Sequence, residues 1–482
     1  CHANTKLAML CNPQNPGGTV YTKSELLQFA AFCEERDILI CSDEIHAGLV
    51  LDPQTRHTPI ASLSKSVSMR TVTLMSLNKV FNFPGIGLAW AVAENPRLRE
   101  AMQTDLHRTI ADPGLLAYTA TLAAIRGGES WRQALLHYLR GNRAGEGTSF
   151  RQRNGLLGDI VHSEPVFVGA PNPNLYRSST FTGATAYAAF AATQATRAQR
   201  LYTGANDGML HAFDAASGKE EFAFIPSGVK NSLNVLTSRY GAGGAPHRYF
   251  VDGTPVVSDV YFGNAWHRVL VGSLGAGGRQ VFALDVTDPT SPRLLWEFGV
   301  EQDERMGYSM PTPVVARLND AGRSKGRWVV FLSNGYQASN SASGESSLFV
   351  LDVSSGEVIR RFDFAAGMTA AELSALPAPK NGLSRAAVVD NNGDGKVDVA
   401  YAGDLAGNVW RVDLASGASG SWNAQLFFVA RESERSGGKR LSITTAPYVV
   451  RHSSGKGDVV AFGTGRFMTD DDKLDMRRQS VF

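Results

Sequence analysis

The chain has 482 residues, 43% hydrophobic and 19% charged, with a formal net charge of +2. That length predicts about two to four domains of ordinary globular composition. The near-neutral balance excludes the usual electrostatic signature of a nucleic-acid partner or an anionic membrane surface.

No run of ~18 apolar residues occurs, so no transmembrane helix is expected. The chain opens on Cys1 with no signal peptide, directly on a segment that reads as strand, which suggests an incomplete start. All four cysteines (Cys1, Cys11, Cys33, Cys41) fall in the first 41 residues. Their spacing suits neither a zinc site nor a disulfide framework, so buried thiols in a reduced compartment are expected.

From residue 1 to about 140, strand and helix alternate. LAMLC (7–11) is a short apolar run. Thr22 and Glu25 form a capping-box pattern that opens a helix with Leu26, Leu27, Ala30 and Cys33 on one face. ILICS (38–42), TVTLMS (71–76) and LAWAVA (88–93) read as further strands, with helices at about 95–107, 113–126 and 129–140. The alternation predicts a parallel α/β sheet, in which ligands sit at the carboxyl ends of the strands. Asn15 follows the first strand, Asp43 ends the second, and Lys79 lies just past the third. An amide, a carboxylate and an amine could therefore meet at one site, although polar residues are common at strand ends in any case.

The strings NPQNPGG (12–18), SDEIH (42–46) and SLNKVFNFPG (76–85) together resemble the fold-type I pyridoxal-phosphate enzymes, and within them the MalY/PatB group of cystathionine β-lyases. The resemblance implies an incomplete aminotransferase class I/II-like large domain over residues 1–140. It implies Lys79 as the Schiff-base and catalytic residue, Asp43 on the pyridinium nitrogen, and Asn15 and His46 on the ring hydroxyl. Ser76 would contact the phosphate. Gly87 stands where many relatives place a phosphate-binding arginine. About one third of such an enzyme is covered, without its phosphate-cradling loop or carboxylate-binding domain, so weak or absent cofactor binding and no lyase activity are expected.

Beyond about residue 145 the pattern changes to short alternating strands with Gly, Asp, Asn and Ser turns, the mark of an all-β domain. HAFDAASG (211–218), FALDVTDP (282–289), FVLDVSSG (349–356) and WRVDLASG (410–417) share an aspartate and a tight turn. Asp214, Asp285, Asp352 and Asp413 are spaced by 71, 67 and 61 residues. Such units predict four-stranded propeller blades with insertions, and aspartates that serve turns and blade packing rather than catalysis.

DNNGDGKVD (390–398) carries distinct chemistry. Asp390, Asn392 and Asp394 occupy positions one, three and five, Gly395 six, Lys396 seven and Asp398 nine. That spacing wraps oxygens round one calcium ion, and glycine at six permits the sharp turn. Lys396 would offer only its carbonyl, and Tyr401 replaces the glutamate of position twelve. Strand-like flanks predict a calcium hairpin rather than a helix–loop–helix. Asp470, Asp471 and Asp472 lack this spacing and read as a solvated turn.

LGDIVHSEPVFVG (157–169), YTGANDGMLHAFDAASG (202–218), FVDGTPVVSDVY (250–261), ALDVTDP (283–289) and DNNGDGKVDVAYAGDLAGNVWRVDL (390–414) closely resemble the C-terminal propeller of the PilY family. The resemblance covers 145–482. It implies a calcium-binding factor outside the cytoplasm, on the periplasmic or cell-surface side, that supports type IV pilus assembly and adhesion. Pilus components, minor pilins among them, are the implied partners. YLRGNR (138–143) suits both families, and no flexible linker follows it. Since lyases of the first kind are cytoplasmic, a chimera left by recombination or mis-assembly is expected.

Overall fold

The computed structural model describes residues 4–15, 18–50, 55–81, 88–109, 113, 115–177, 179, 181–238, 244–319, 327–365, 367–433 and 438–482. The chain divides into two compact units, residues 1–154 with 237–239, and residues 155–236 with 240–482.

The first unit has one sheet of four strands in chain order, β1 (Leu7–Cys11), β2 (Leu39–Asp43), β3 (Thr71–Ser76) and β4 (Ala89–Ala93). β1, β2 and β3 are parallel, as expected, with Leu7 opposite Leu39 and Ile40 opposite Thr71. β4 departs from that expectation and runs antiparallel, with Val72 opposite Ala93. Residues 77–88, which join β3 to β4, are about the least that a parallel crossover needs. Helix α1 (Lys23–Glu35) starts at the predicted capping box: Thr22 Oγ1 accepts from the Glu25 amide, and Glu25 accepts from the Thr22 amide at 2.7 Å. With α2 (Lys65–Met69) it covers one sheet face, burying Leu26, Ala30, Cys33, Ile38, Ile40, Ile60 and Val67. Leu27, expected on that face, is exposed. Cys33 is fully buried, which pushes its thiol pKa up, whereas Cys11 and Cys41 are half-buried and Cys1 lies outside the described residues.

After α3 (Pro96–Thr109), the two helices predicted over 113–140 are one, α4 (Leu115–Leu139). Gly127 and Gly128, which read as a break, cost about 1 kcal/mol each inside a helix, too little to interrupt one of this length. Leu7, Met9 and Val92 on the sheet, and Tyr118, Leu122 and Ile125 on α4, are all exposed. Residues 145–154 pack back on the end of α4. The Phe150 ring lies 4.8 Å from that of Tyr138, and the Arg153 guanidinium sits 3.7 Å above the Tyr138 ring while pairing with Glu146 at 2.7 Å.

The second unit consists of four antiparallel sheets of four strands each. They are β5–β8 (Val166–Val168, Arg200–Gly204, Leu210–Asp214, Glu220–Phe224) and β9–β12 (Val256–Phe262, Ala265–Ser273, Gln280–Asp285, Arg293–Gly299). The next two are β13–β16 (Val314–Leu318, Arg327–Ser333, Ser346–Asp352, Val358–Phe364) and β17–β20 (Ala387–Val389, Val399–Gly403, Asn408–Asp413, Asn423–Val429). A two-stranded pair, β21 (Tyr448–Arg451) and β22 (Asp458–Ala461), follows. Each sheet is one repeat of the sequence. The predicted insertions lie between β5 and β6, between β8 and β9, and between β16 and β17, and carry short helices at Tyr187–Thr193, Ser227–Thr237 and Ala370–Ala375.

Each repeat aspartate is the last residue of a third strand. One carboxylate oxygen caps the following turn: Asp214 accepts from the Ser217 amide, Asp285 from Thr287, Asp352 from Ser354 and Asp413 from Ala415. The other oxygen takes a basic side chain: Arg200 at 2.9 Å, the His267 ring at 2.9 Å, Arg327 at 2.7 Å and Arg411 at 3.3 Å, respectively. Burial alone would raise the Asp352 carboxyl, but hydrogen bonds from Ser354 and Arg327 outweigh it and hold the group below its ordinary range. Between the sheets lie aromatic clusters. Tyr176 stacks on Trp266 at 5.1 Å, and Phe181 meets Trp328 edge-on.

In the acidic run near the end Asp470 and Asp471 are solvated as expected, but Asp472 is not. The run forms a short 3-10 helix, Asp470–Leu474, in which Asp472 is buried. Asp472 accepts from the Met468 and Thr469 amides and pairs with the buried Arg466 at 2.8 Å. Among the described residues, no helix is long and apolar enough to cross a membrane.

Two outcomes are expected. Asp352→Ala removes a buried carboxylate that caps its turn and pairs with half-buried Arg327, and should cost the propeller about 1.5–3 kcal/mol. Asp413→Ala opens a more exposed pair and should cost under ~1 kcal/mol. Urea titration of both variants checks the contrast, and equal losses would contradict it. Second, residues 155–482 alone should melt cooperatively, whereas residues 1–154 alone should be insoluble or molten, because bare strand edges and apolar faces promote aggregation. A propeller that sharpens its transition only when residues 1–154 are restored would show the division to be wrong.

Candidate functional site

The DNNGDGKVD loop joins β17 to β18 as a hairpin, closed by the pair Val389–Val399. Its winding follows from short polar side chains bonding the backbone ahead of them. Asp390 accepts from the amides of Asn392, Gly393 and Gly395, Asn392 from Asp394, and Asp394 from Lys396. Asp398 accepts from the Asn391 amide at 2.9 Å, which closes the loop on itself. Gly393 and Gly395 adopt φ of 76° and 77°, a left-handed conformation that favours glycine.

All five predicted ligand positions thus lie on one wound loop. Asp390, Asn392 and Asp394 are exposed, and Lys396 and Asp398 are half-buried. The Lys396 ammonium lies 2.7 Å from an Asp394 oxygen, so a cation already sits against the loop's acidic face. Burial pushes the Asp394 carboxyl up, yet the Lys396 bonds and charge, with Arg317 behind them, hold it below its ordinary value. Among the described residues, no three His, Cys, Asp or Glu groups are gathered closely enough to hold a metal ion. The donor set is nonetheless one of hard oxygens, the type calcium takes.

Two arginines that sequence reasoning passed over brace this loop. Arg317, on β13, donates to the carbonyls of Asp394 at 2.8 Å and Gly395 at 3.2 Å. Arg451, on β21, donates to the Asn391 carbonyl at 2.8 Å. Their partners are 77 and 60 residues away in sequence, beyond the reach of a local motif. The available cue was a lone arginine in the apolar strand VVARL.

In the first unit the parallel register puts the carboxyl ends of β1, β2 and β3 along one sheet edge, with Cys11 opposite Asp43 and Asp43 opposite Leu74. Asn15, Asp43, His46, Ser76 and Lys79 all follow or end these strands. Asn15 and Lys79 are exposed, and Asp43 and His46 are half-buried. Asp43 accepts from the Ile45 amide. Ser76 is buried and donates to the Leu88 carbonyl at 2.8 Å while accepting from the Asn78 amide. The motif's buried carboxylate is instead Glu44, bonded to Ser42, to His57 at 2.8 Å and to the Ile60 amide. An exposed amine and a serine already engaged with backbone do not fit an enclosed pyridoxal-phosphate pocket.

Comparison with known proteins matches the parts separately. The family model for the PilY1 beta-propeller domain matches residues 157–482, and that for aminotransferase class I and II matches residues 2–143. The type IV pilus biogenesis factor PilY1 of Pseudomonas aeruginosa (strain PAK) is 44% identical over 356 residues, covering 70% of this chain and 29% of that protein. Protein MalY of Escherichia coli (strain K12) is 36% identical over 139 residues, covering 28% of this chain and 35% of that protein. The crystal structure of the P. aeruginosa PilY1 C-terminal domain is 42% identical, with a TM-score of 0.49 over 61% of this chain and 58% of that one. The chain therefore spans under a third of its PilY1 relative and about a third of its MalY relative. Its two parts come from unrelated families, and with the propeller model matching more than half of its length, the chain belongs to the PilY1 beta-propeller family.

Proposed function

We propose that the chain acts through its second part, residues 145–482, as a calcium-binding module of a type IV pilus biogenesis and adhesion factor. Its partners would be pilus components, minor pilins among them, at the periplasmic or cell-surface side. The observation that carries this reading is the loop at 390–398, wound by its own amide-to-carboxylate bonds with a lysine ammonium resting on Asp394. On this reading calcium displaces that ammonium and takes oxygens from Asp390, Asn392, Asp394 and Asp398, with the Lys396 carbonyl completing the set.

Calorimetric titration of the full chain in chelator-treated buffer should show one calcium bound. Asp394→Ala with Asp398→Ala should abolish it, because one carboxylate leaves too little negative charge for a hard divalent ion. An unchanged titration in the double variant, with folding verified by its melting curve, would refute the assignment.

The second reading is a carbon–sulfur β-lyase over residues 1–140. It is favoured by the strand-end placement of Asp43, Ser76 and Lys79 on one parallel sheet edge. Bound pyridoxal phosphate supplies an electron sink in such enzymes. Here the Lys79 amine is exposed, whereas Schiff-base lysines sit in desolvated pockets. The full chain with added pyridoxal phosphate should therefore leave cystathionine uncleaved. Turnover that is lost in Lys79→Ala would overturn this and reinstate the enzyme.

A further inference from the structure

Arg317 is an unusual residue for its place. It sits on β13, the first strand of the third sheet, and is 4% exposed. Its guanidinium carbon stacks 3.7 Å over the Phe181 ring, within the aromatic cluster between sheets. Nε and Nη2 donate to the loop carbonyls of Gly395 and Asp394, and Nη1 has no hydrogen-bond partner among the described residues. A buried guanidinium without a direct carboxylate partner is costly, and the group is retained where its fixed donors position something else.

What it positions is the metal loop of the neighbouring sheet. The Val397 amide donates to the Arg317 carbonyl at 2.8 Å, so backbone and side chain of one residue grip both sides of the turn at Gly395. A Cβ on Gly395 would stand 3.0 Å from Arg317 Nη2, which shows how closely the two are fitted. The carbonyls it takes belong to loop positions five and six, and the position-seven carbonyl of Lys396 is left for a metal.

We propose that Arg317 is the positioning residue of the 390–398 loop: it holds the turn at Asp394–Gly395 wound before any cation arrives, so that calcium meets ligands already in place. This rests on the calcium reading above, but its first consequence concerns the metal-free loop and can be measured without that reading. Pre-ordering a loop saves the entropy that binding would otherwise spend on it.

The test compares the full chain with its Arg317→Gln and Arg317→Lys variants. Amide hydrogen exchange across 391–398 is followed in chelator, and calcium affinity is measured by calorimetry. In Arg317→Gln, loop exchange should accelerate by about tenfold or more and calcium affinity should fall by about tenfold, since two charge-assisted hydrogen bonds are lost. Arg317→Lys keeps the charge and the apolar stem but cannot span both carbonyls, so it should lie between, and it preserves the test if the Gln variant does not fold. Unchanged loop exchange in the variants would overturn the proposal, and so, where the parent chain binds calcium, would equal affinity in the variants or tighter affinity, the latter marking the arginine as a repelling charge. If the parent chain binds no calcium but the variants still loosen the loop, the calcium reading fails while the positioning role stands.

Discussion

The propeller depends on a carboxylate placed where a strand ends and a turn begins. A buried or half-buried aspartate is affordable only when its oxygens are fully engaged. In each sheet one oxygen satisfies turn amides and the other meets a basic side chain. The same residue therefore sets the turn and ties the third strand to its neighbours. This dual duty explains why the aspartate recurs through four repeats whose other residues drift.

The fourth sheet breaks the pattern in an informative way. In the second and third sheets the basic side chain lies two residues before the partner that faces the aspartate: His267 before Val269, and Arg327 before Val329. In the fourth, Val399 faces Asp413, so the equivalent position is Val397, which cannot supply charge. Asp413 turns instead to Arg411 on its own strand, a longer and more exposed contact. Val397 directly follows the turn of the 390–398 loop, and its amide is held by the Arg317 carbonyl. A basic partner for Asp413 is thus missing at Val397, where the loop enters the strand, and an arginine from the preceding sheet braces the loop from behind. The bracing also runs from the second side, where Arg451 holds Asn391.

The legible parts of this molecule are those encoded at short range. The capping box at Thr22 and Glu25, the four repeat aspartates, and the hairpin form of 390–398 all draw on neighbours within a few residues. Failures came where distant context decides. β4 reads as one more strand of a parallel series, but pairing direction is set by the connection before it. Asp472 reads as solvated because its partner Arg466 and the amides it caps make sense only once the chain has turned on itself. Glu44 was overlooked beside Asp43 because strand alternation, not motif identity, decides which carboxylate turns inward. Arg317 was invisible for the same reason at greater range.

The two units also differ in how far their levels of structure agree, which is the mark of a sequence selected for its fold. In the propeller, turn chemistry, strand patterning and packing point one way: β11, β14 and β15 are almost wholly buried, and their capping aspartates are satisfied. In the α/β unit, helix caps and one sheet face are in order, yet Leu7, Met9 and Val92, with Tyr118, Leu122 and Ile125 of α4, turn apolar side chains to solvent. Large apolar side chains left exposed on both a sheet and a helix contrast with the satisfied interior of the propeller. Asp43, Ser76 and Lys79 are aligned by the sheet, but alignment alone neither desolvates an amine nor encloses a phosphate. Position along a sheet edge is inherited with the backbone, whereas a working site also needs support, which the 390–398 loop receives from arginines on two neighbouring strands.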